Sequence, residues 1–305
     1  MVKHFLEVAH YGSEELRRLL DLAAELKALY ARGGRDLCLA GQTMVLLFEK
    51  PSSRTRISFQ VGMAQLGGTA IYVRPEDIGG LGRREPLADL ARVLNGYVNV
   101  IVARTFAHET VLELARYATA PVINALTDRA HPCQALADLL TIQEAFGSLA
   151  GRKLAYVGDG NNVARSLAVA CVRLGLRLVI ASPAGYALPE EFLRRAREGG
   201  GAGSVAQVPD PYDAVRGADV VYTDTWTSMG QEAEKEQRVR DFAGYQVDGK
   251  LMAAAGPGAR VMHCLPAYRG LEISNEVIES PQSLVWAQAE NRLHFQRALL
   301  KYLCG

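Results

Sequence analysis

No Cys-x-x-Cys pair occurs in the chain, and its five cysteines (Cys38, Cys133, Cys171, Cys264 and Cys304) are odd in number. A disulfide framework and a structural zinc site are therefore not expected, and no metal or cofactor is implied. Excess charge of one sign is also missing. With 34 Lys and Arg against 33 Asp and Glu, the formal net charge is +1. That balance provides no bulk attraction to nucleic acid or to a membrane surface, so any anion site must be local. No stretch of about 18 apolar residues free of charge is present, and the first twelve residues carry no apolar core of a secretion signal. These absences lead to the expectation of a soluble, cytoplasmic protein with no membrane or nucleic-acid partner.

What is present is a chain of 305 residues, 49% hydrophobic and 22% charged. This suits two packed domains of about 150 residues each. A helix is expected from Ser13, read as its N-cap, with Leu16, Leu19, Leu20, Ala23 and Ala24 at helical spacing. Short apolar runs then predict buried strands at 43–48, 69–73, 98–103 and 121–124, with helices between them. A long helix is expected after His131-Pro132. A second series of strands is read at 153–158, 177–182, 218–224, 260–265 and 283–288. The Gly-rich stretch 199–203 reads as a connector, the domain junction falls near 147–152, and a last helix runs from about Glu290 to Leu303. Repeated strand–helix alternation predicts α/β architecture: two domains, each a parallel sheet flanked by helices. Ligands of such sheets bind beyond the carboxyl ends of strands, so chemistry is expected there.

Strand 43–48 leads into Lys50-Pro51-Ser52-Ser53-Arg54-Thr55-Arg56 and then a helix. Hydroxyls, guanidinium groups and the free N–H groups of a helix start together suit a dianion such as phosphate. A capping serine beside surface arginines would be the plain alternative. Arg104 ends strand 98–103, where a buried cation needs an anion or acceptor. His131 and Gln134 share a helix face at i and i+3. In the second half, three segments follow strands: Gly158-Asp159-Gly160-Asn161-Asn162, then Asp224-Thr225-Trp226-Thr227-Ser228-Met229-Gly230, then His263-Cys264-Leu265-Pro266. Each alone could be a cap, a turn or a buried small residue.

Taken together, these segments resemble the aspartate and ornithine carbamoyltransferase family. The match covers nearly the whole chain. Ser52 to Arg56 is similar to the S-T-R-T-R signature, with Ser53 in place of its first threonine. His131 to Gln134 matches H-P-x-Q, Asp224 to Gly230 matches D-x-x-x-S-M-G, His263 to Pro266 matches H-C-L-P, and Glu290-Asn291-Arg292 matches E-N-R. The D-x-x-x-S-M-G and H-C-L-P loops are those of the ornithine-specific branch.

The resemblance implies transfer of the carbamoyl group of carbamoyl phosphate to the δ-amine of L-ornithine, giving L-citrulline and phosphate. By the same resemblance Ser52, Ser53, Arg54 and Thr55 hold the phosphate, and Arg104, His131 and Gln134 contact the carbamoyl group. Arg292 belongs to the carbamoyl phosphate site, and Cys264 and Leu265 line the reacting centre. Asn162 and the Met229 backbone hold the ornithine α-carboxylate, while Asp224 and Ser228 hold the α-amino group. Arg104, His131, Asp224, Cys264 and Arg292 are the implied catalytic set. The implied domains are 1–148 with a C-terminal helix 289–305 packing back on it, for carbamoyl phosphate, and 149–288 for ornithine. A homotrimer or a multiple of trimers is implied.

One departure is Gly80, where relatives often carry a polar side chain, commonly glutamine; Arg83 and Arg84 are nearby candidates to replace it. Three other readings compete. A nicotinamide-dependent oxidoreductase is suggested by Gly158-x-Gly160, but Val163 replaces the third glycine and strand 177–182 ends in Ser182 rather than an acid. A carbamoyltransferase for another amine is disfavoured by Asp224, which would repel a second acidic group. A non-catalytic paralogue would not need the retained site residues.

Overall fold

A computed structural model describes residues 3–228 and 230–305. The chain folds as two compact units, Met1–Leu140 with Asn291–Gly305, and Thr141–Glu290. Both are α/β, as the alternating pattern predicts.

In the first unit the strands are β1 (Thr43–Phe48), β2 (Thr69–Val73), β3 (Val100–Arg104) and β4 (Val122–Leu126). They pair in parallel in the order β2-β1-β3-β4. The helices are α1 (Ser13–Ala31), α2 (Ser53–Gln65), α3 (Leu87–Asn95), α4 (His108–Tyr117) and α5 (Pro132–Phe146), the last running on past Leu140. Parallel pairing requires crossovers, and the helices on both faces bury the central strands on both sides. Hence β1 and β3 are almost wholly buried, whereas the edge strand β2 is partly exposed. The segment before α1 adds to the far edge. Phe5 bridges Ile123 in parallel, and its N–H donates to the Val122 carbonyl at 2.8 Å. Gly12, not Ser13, is the N-cap of α1: its N–H donates to the Glu15 carboxylate at 3.2 Å, and Ser13 is the first helical residue.

The second unit holds β5 (Lys153–Val157), β6 (Arg177–Ala181), β7 (Ser204–Val208), β8 (Val220–Thr223) and β9 (Arg260–His263). These are parallel in the order β7-β6-β5-β8-β9. Its helices are α6 (Asn162–Leu174), α7 (Glu190–Glu198), α8 (Pro211–Val215), α9 (Lys235–Asp241), α10 (Gly249–Ala255) and α11 (Asn275–Ile278). Its core includes Val157, Val221, Leu251, Val261 and Ile273.

Two elements differ from expectation. The β7 strand lies beyond the glycine connector, in a stretch without a strand signal; as an edge strand it keeps polar and exposed positions. Stretch 283–288 is not a strand. Only Ser283 bridges Val261, and the last helix α12 (Val285–Cys304) starts there, ahead of the expected Glu290. A short apolar run does not by itself distinguish strand from helix.

From Asn291 onward α12 belongs to the first unit. Phe295 is buried beside Phe5, with ring centroids 6.0 Å apart, Lys301 pairs with Asp36 at 2.6 Å, and Gln42 donates to the Cys304 carbonyl at 3.0 Å. The final helix thus packs on the first unit, as expected. Among the described residues no helix is long and apolar enough to cross a membrane.

Candidate active site

In the first unit the polar side chains collect at the carboxyl ends of β1, β3 and β4. Ser52 is the N-cap of α2: its hydroxyl oxygen accepts the Thr55 N–H at 3.4 Å and its O–H donates to Thr55 Oγ1 at 3.1 Å. Thr55 Oγ1 also receives Arg292 Nη2 at 2.7 Å. Arg292 Nη1 donates to Gln134 Oε1, and Gln134 Nε2 donates to Asp138 Oδ1 at 2.7 Å. Arg292 can only donate, so it fixes which way the Gln134 amide faces and leaves Nε2 for Asp138. Thr55, Gln134, Asp138 and Arg292 are all buried. Ser53 and Arg54 stand exposed on the same first turn of α2, where unpaired N–H groups favour an anion.

Arg104, the last residue of β3, and His131, just before α5, are buried beside these groups. Burial, then Arg292, then Arg104 hold the His131 imidazole well below its usual pKa. A neutral imidazole between two guanidinium groups is a hydrogen-bonding group rather than a third cation. Its effect on stability has a definite sign. The unfolded chain takes up a proton on this histidine below about pH 6.5 while the fold does not, so stability falls as pH drops through that value, by up to about 1.4 kcal/mol per unit. Thermal unfolding of wild type and His131→Asn between pH 8 and 5 should show a shallower acid decline in the variant; parallel curves would contradict the neutral-histidine reading.

The second unit presents an anionic counterpart. Because β8 and β9 pair side by side, Asp224 and Cys264 leave adjacent strand ends. Asp224 Oδ1 accepts from Cys264 Sγ and from the Thr225 N–H, both at 2.8 Å, and Oδ2 accepts from Asn161 Nδ2 at 2.8 Å. Asn161 carries no role in the sequence-based reading. It is the N-cap of α6, its side-chain Oδ1 accepting the Val163 and Ala164 N–H groups at 2.9 and 3.1 Å. Asn162 is partly exposed on the first turn of that helix. Ser228 is also partly exposed, its N–H donating to Gln231 Oε1 at 3.0 Å. Met229 lies outside the described residues.

Two supports are likewise new at this level. Arg238, almost wholly buried, reaches Asp159 Oδ2 at 2.9 Å and the Trp226 carbonyl at 3.0 Å, joining the loops after β5 and β8. His263 receives the Leu265 N–H on Nδ1 at 2.8 Å and faces Glu272 Oε1 through Nε2 at 3.0 Å. Leu265 has φ of 59°, a left-handed conformation that a side chain of this size rarely adopts. Asp224, His263 and Cys264 are the one group among the described residues with metal-ligand spacing, their donor atoms lying within 4.8 Å of one another. Both His263 nitrogens are already engaged, so the ring serves as a brace for the 263–266 turn.

At the departure from the family pattern, Gly80 has φ of 89°, and a Cβ there would lie 2.9 Å from Arg83 Cδ. Arg83 and Arg84 are exposed. Ser182 Oγ donates to the Gly158 carbonyl at 2.6 Å, so the residue in place of a ribose-binding acid is used within the loop itself.

Known proteins match the chain along nearly its whole length. Residues 3–144 match the family model of the aspartate/ornithine carbamoyltransferase carbamoyl-P binding domain, and residues 150–303 that of the Asp/Orn binding domain. The chain is 53% identical to an ornithine carbamoyltransferase of Acidothermus cellulolyticus, covering 99% of this chain and 97% of the relative. It is 49% identical to one of Methanoculleus marisnigri, covering 98% and 96%. The solved structure of ornithine carbamoyltransferase from Pyrococcus furiosus superposes with a TM-score of 0.94 at 48% identity, covering 98% of this chain and 96% of that one. The Thermus thermophilus enzyme does so with a TM-score of 0.90 at 45% identity over the whole of both chains. With both of its halves matched and half of its residues shared with relatives along its length, the chain belongs to the aspartate/ornithine carbamoyltransferase family.

Proposed function

We propose that the protein is an ornithine carbamoyltransferase, joining the carbamoyl group of carbamoyl phosphate to the δ-amine of L-ornithine and releasing L-citrulline and phosphate. The observation that carries the choice of amine is Asp224. Its carboxylate, ordered by Cys264, Thr225 and Asn161, offers a fixed negative charge to the ammonium group of a diamino acid. The same charge would repel the second carboxylate of aspartate, and putrescine lacks the α-carboxylate that Asn162 and the Met229 backbone are assigned to hold.

In this reading residues 1–148 with 289–305 form the carbamoyl phosphate domain and 149–288 the ornithine domain. Ser52, Ser53, Arg54 and Thr55 take the phosphate, and Arg104, His131, Gln134 and Arg292 take the carbamoyl group. Asn162 and the Met229 backbone hold the α-carboxylate, Asp224 and Ser228 hold the α-amino group, and Cys264 and Leu265 line the reacting centre. Attack of the uncharged δ-amine on the carbamoyl carbon builds a tetrahedral oxyanion. Fixed cationic and N–H donors lower that barrier by about 3–4 kcal/mol each, because they need no reorientation as charge develops. Holding the two substrates together contributes about 7–11 kcal/mol. Collapse of the intermediate breaks the carbon–oxygen bond and expels phosphate, which carries away the proton lost by the attacking nitrogen, into its donor-rich cradle.

A role in arginine biosynthesis is supported by a 49% identical relative from Pyrococcus furiosus named as the anabolic enzyme. A cytoplasmic location fits that role. Assembly as a homotrimer or a multiple of trimers is supported by exposed apolar side chains on neighbouring α2 and β2, where Ile57 and Ile71 are 57% and 50% accessible and Val61 lies on the same helix. The deciding experiment offers carbamoyl phosphate with L-ornithine, L-aspartate, putrescine and N-acetyl-L-ornithine, and scores ureido product. L-Ornithine should lead by at least about 100-fold in kcat/KM, the discrimination expected when a buried charge loses its partner. A faster reaction with any other amine overturns the assignment.

A further inference from the structure

Three loops of the first unit carry the candidate residues, and they are stitched to one another by groups outside the proposed site. The Glu49 N–H donates to the Arg104 carbonyl at 2.8 Å, and Glu49 Oε2 accepts the Phe106 N–H at 3.0 Å. The Asp128 N–H donates to the Phe106 carbonyl, and its carboxylate accepts the His108 N–H, both at 3.0 Å. At the centre lies Thr127, wholly buried, four residues before His131. Its hydroxyl oxygen accepts the Ala130 N–H at 3.2 Å, while its own N–H donates to the Ala130 carbonyl at 2.9 Å. That pair of bonds closes the turn 127–130, which delivers His131 to the start of α5.

Behind the hydroxyl stands His108, 1% exposed, with Nδ1 at 2.8 Å from Thr127 Oγ1 and Nε2 at 2.9 Å from Glu7 Oε1. The ring is thus held at both nitrogens, by the Glu7 carboxylate at Nε2 and by the threonine hydroxyl at Nδ1. Thr127 Oγ1 thus sits between the His108 ring and the Ala130 N–H, so the ring fixes where the hydroxyl of the turn stands. Carboxylate, imidazole and hydroxyl in line are the components of an acyl-transfer triad. Here the hydroxyl is buried and committed to the turn, so the arrangement can act only on geometry. Its far end, Glu7, belongs to the segment whose Phe5 lengthens the sheet at β4.

We infer that Thr127, held by His108 and Glu7, is a positioning residue that sets the turn presenting His131 to the carbamoyl group, so that the N-terminal segment is part of the apparatus for the reaction. This rests on the proposed carbamoyl transfer. The test compares Thr127→Val, which keeps shape but removes the hydroxyl, with Thr127→Ser, which keeps it, in the full chain. Thr127→Val should lower kcat about 10- to 100-fold, because a displaced turn leaves a buried N–H unsatisfied and moves a reacting group by a fraction of an ångström. The ornithine KM should change less than about twofold, since Thr127 supports only groups assigned to carbamoyl phosphate, and Thr127→Ser should retain at least about one third of wild-type kcat. A merely structural hydroxyl would lower the melting temperature and leave kcat of the folded enzyme intact; that result overturns the inference, as does a serine variant no better than valine. Hydrogen exchange over residues 127–135 gives a readout that needs no turnover. It should quicken in Thr127→Val and, to a smaller extent, in Glu7→Gln, and unchanged exchange in both also overturns it. Wild-type protein that forms no ureido product would instead sink the proposed function, and the exchange comparison would still decide the bracing of the turn.

Discussion

Replacing Arg292 by alanine should lower kcat/KM for carbamoyl phosphate about 10²- to 10³-fold, the loss expected when one partner of a buried, hydrogen-bonded charge is removed. The guanidinium is 4% exposed and reaches Thr55 and Gln134 with different nitrogens, so its removal takes a donor from each of two buried acceptors, of which Thr55 keeps the Ser52 hydroxyl. Lysine should recover little, because a single ammonium cannot fork to two acceptors set by different helices. The variant carries an internal control. Arg292 is one of the causes that depress the His131 pKa, so that pKa should move back toward its ordinary value in Arg292→Ala. Steady-state kinetics with carbamoyl phosphate as the varied substrate, together with NMR titration of the histidine, check both parts. A loss below tenfold would remove Arg292 from the site.

The second large effect is expected from Asp224→Asn. The carboxylate takes three donors, from Cys264, Thr225 and Asn161. An amide keeps one accepting oxygen and turns the other position into a donor, so at least one of those groups then faces N–H rather than oxygen, and the charge for an ammonium is gone. We expect kcat/KM for L-ornithine to fall at least about 100-fold, with the dissociation constant of carbamoyl phosphate, measured by calorimetry, changed less than about threefold. An unaltered ornithine KM would falsify the role given to this aspartate.

The pattern of these expectations follows what is legible in the chain. The strand β1 lies where its apolar run stands in the sequence, because a parallel strand covered on both faces must be apolar throughout. The edge strand β7 escapes such a reading for the converse reason: part of it faces water and keeps polar character. Stretch 283–288 misleads because Val285 and its neighbours are as apolar in a helix as they would be in a strand. Among site residues, Thr55, Gln134, Arg292, Asp224 and Cys264 stand in motifs, and each is joined to a motif partner in its own unit. Asp138 has a local signal, its i+4 spacing from Gln134, that is enough to name it. Asn161 cannot be told from its neighbour Asn162, since a motif does not say which of two adjacent amides turns back to cap its helix and hold Asp224. Arg238 and Asp159 are 79 residues apart, and no local spacing announces a pair made only by folding. The Glu7, His108 and Thr127 chain is of the same kind.

That Arg292 arrives on the final helix has a consequence for biosynthesis. Ribosomes deliver a chain from its amino end, and domains generally condense in that order. Residues up to Leu140 can collapse around their sheet early, but the cation that links Thr55 to Gln134 is missing until synthesis has reached residue 292. A nascent chain should therefore be inert toward carbamoyl phosphate until Arg292 has been made and released from the ribosome. A premature stop that deletes only residues 291–305 should leave a partly folded, catalytically silent product exposing the surface that Phe295 normally covers.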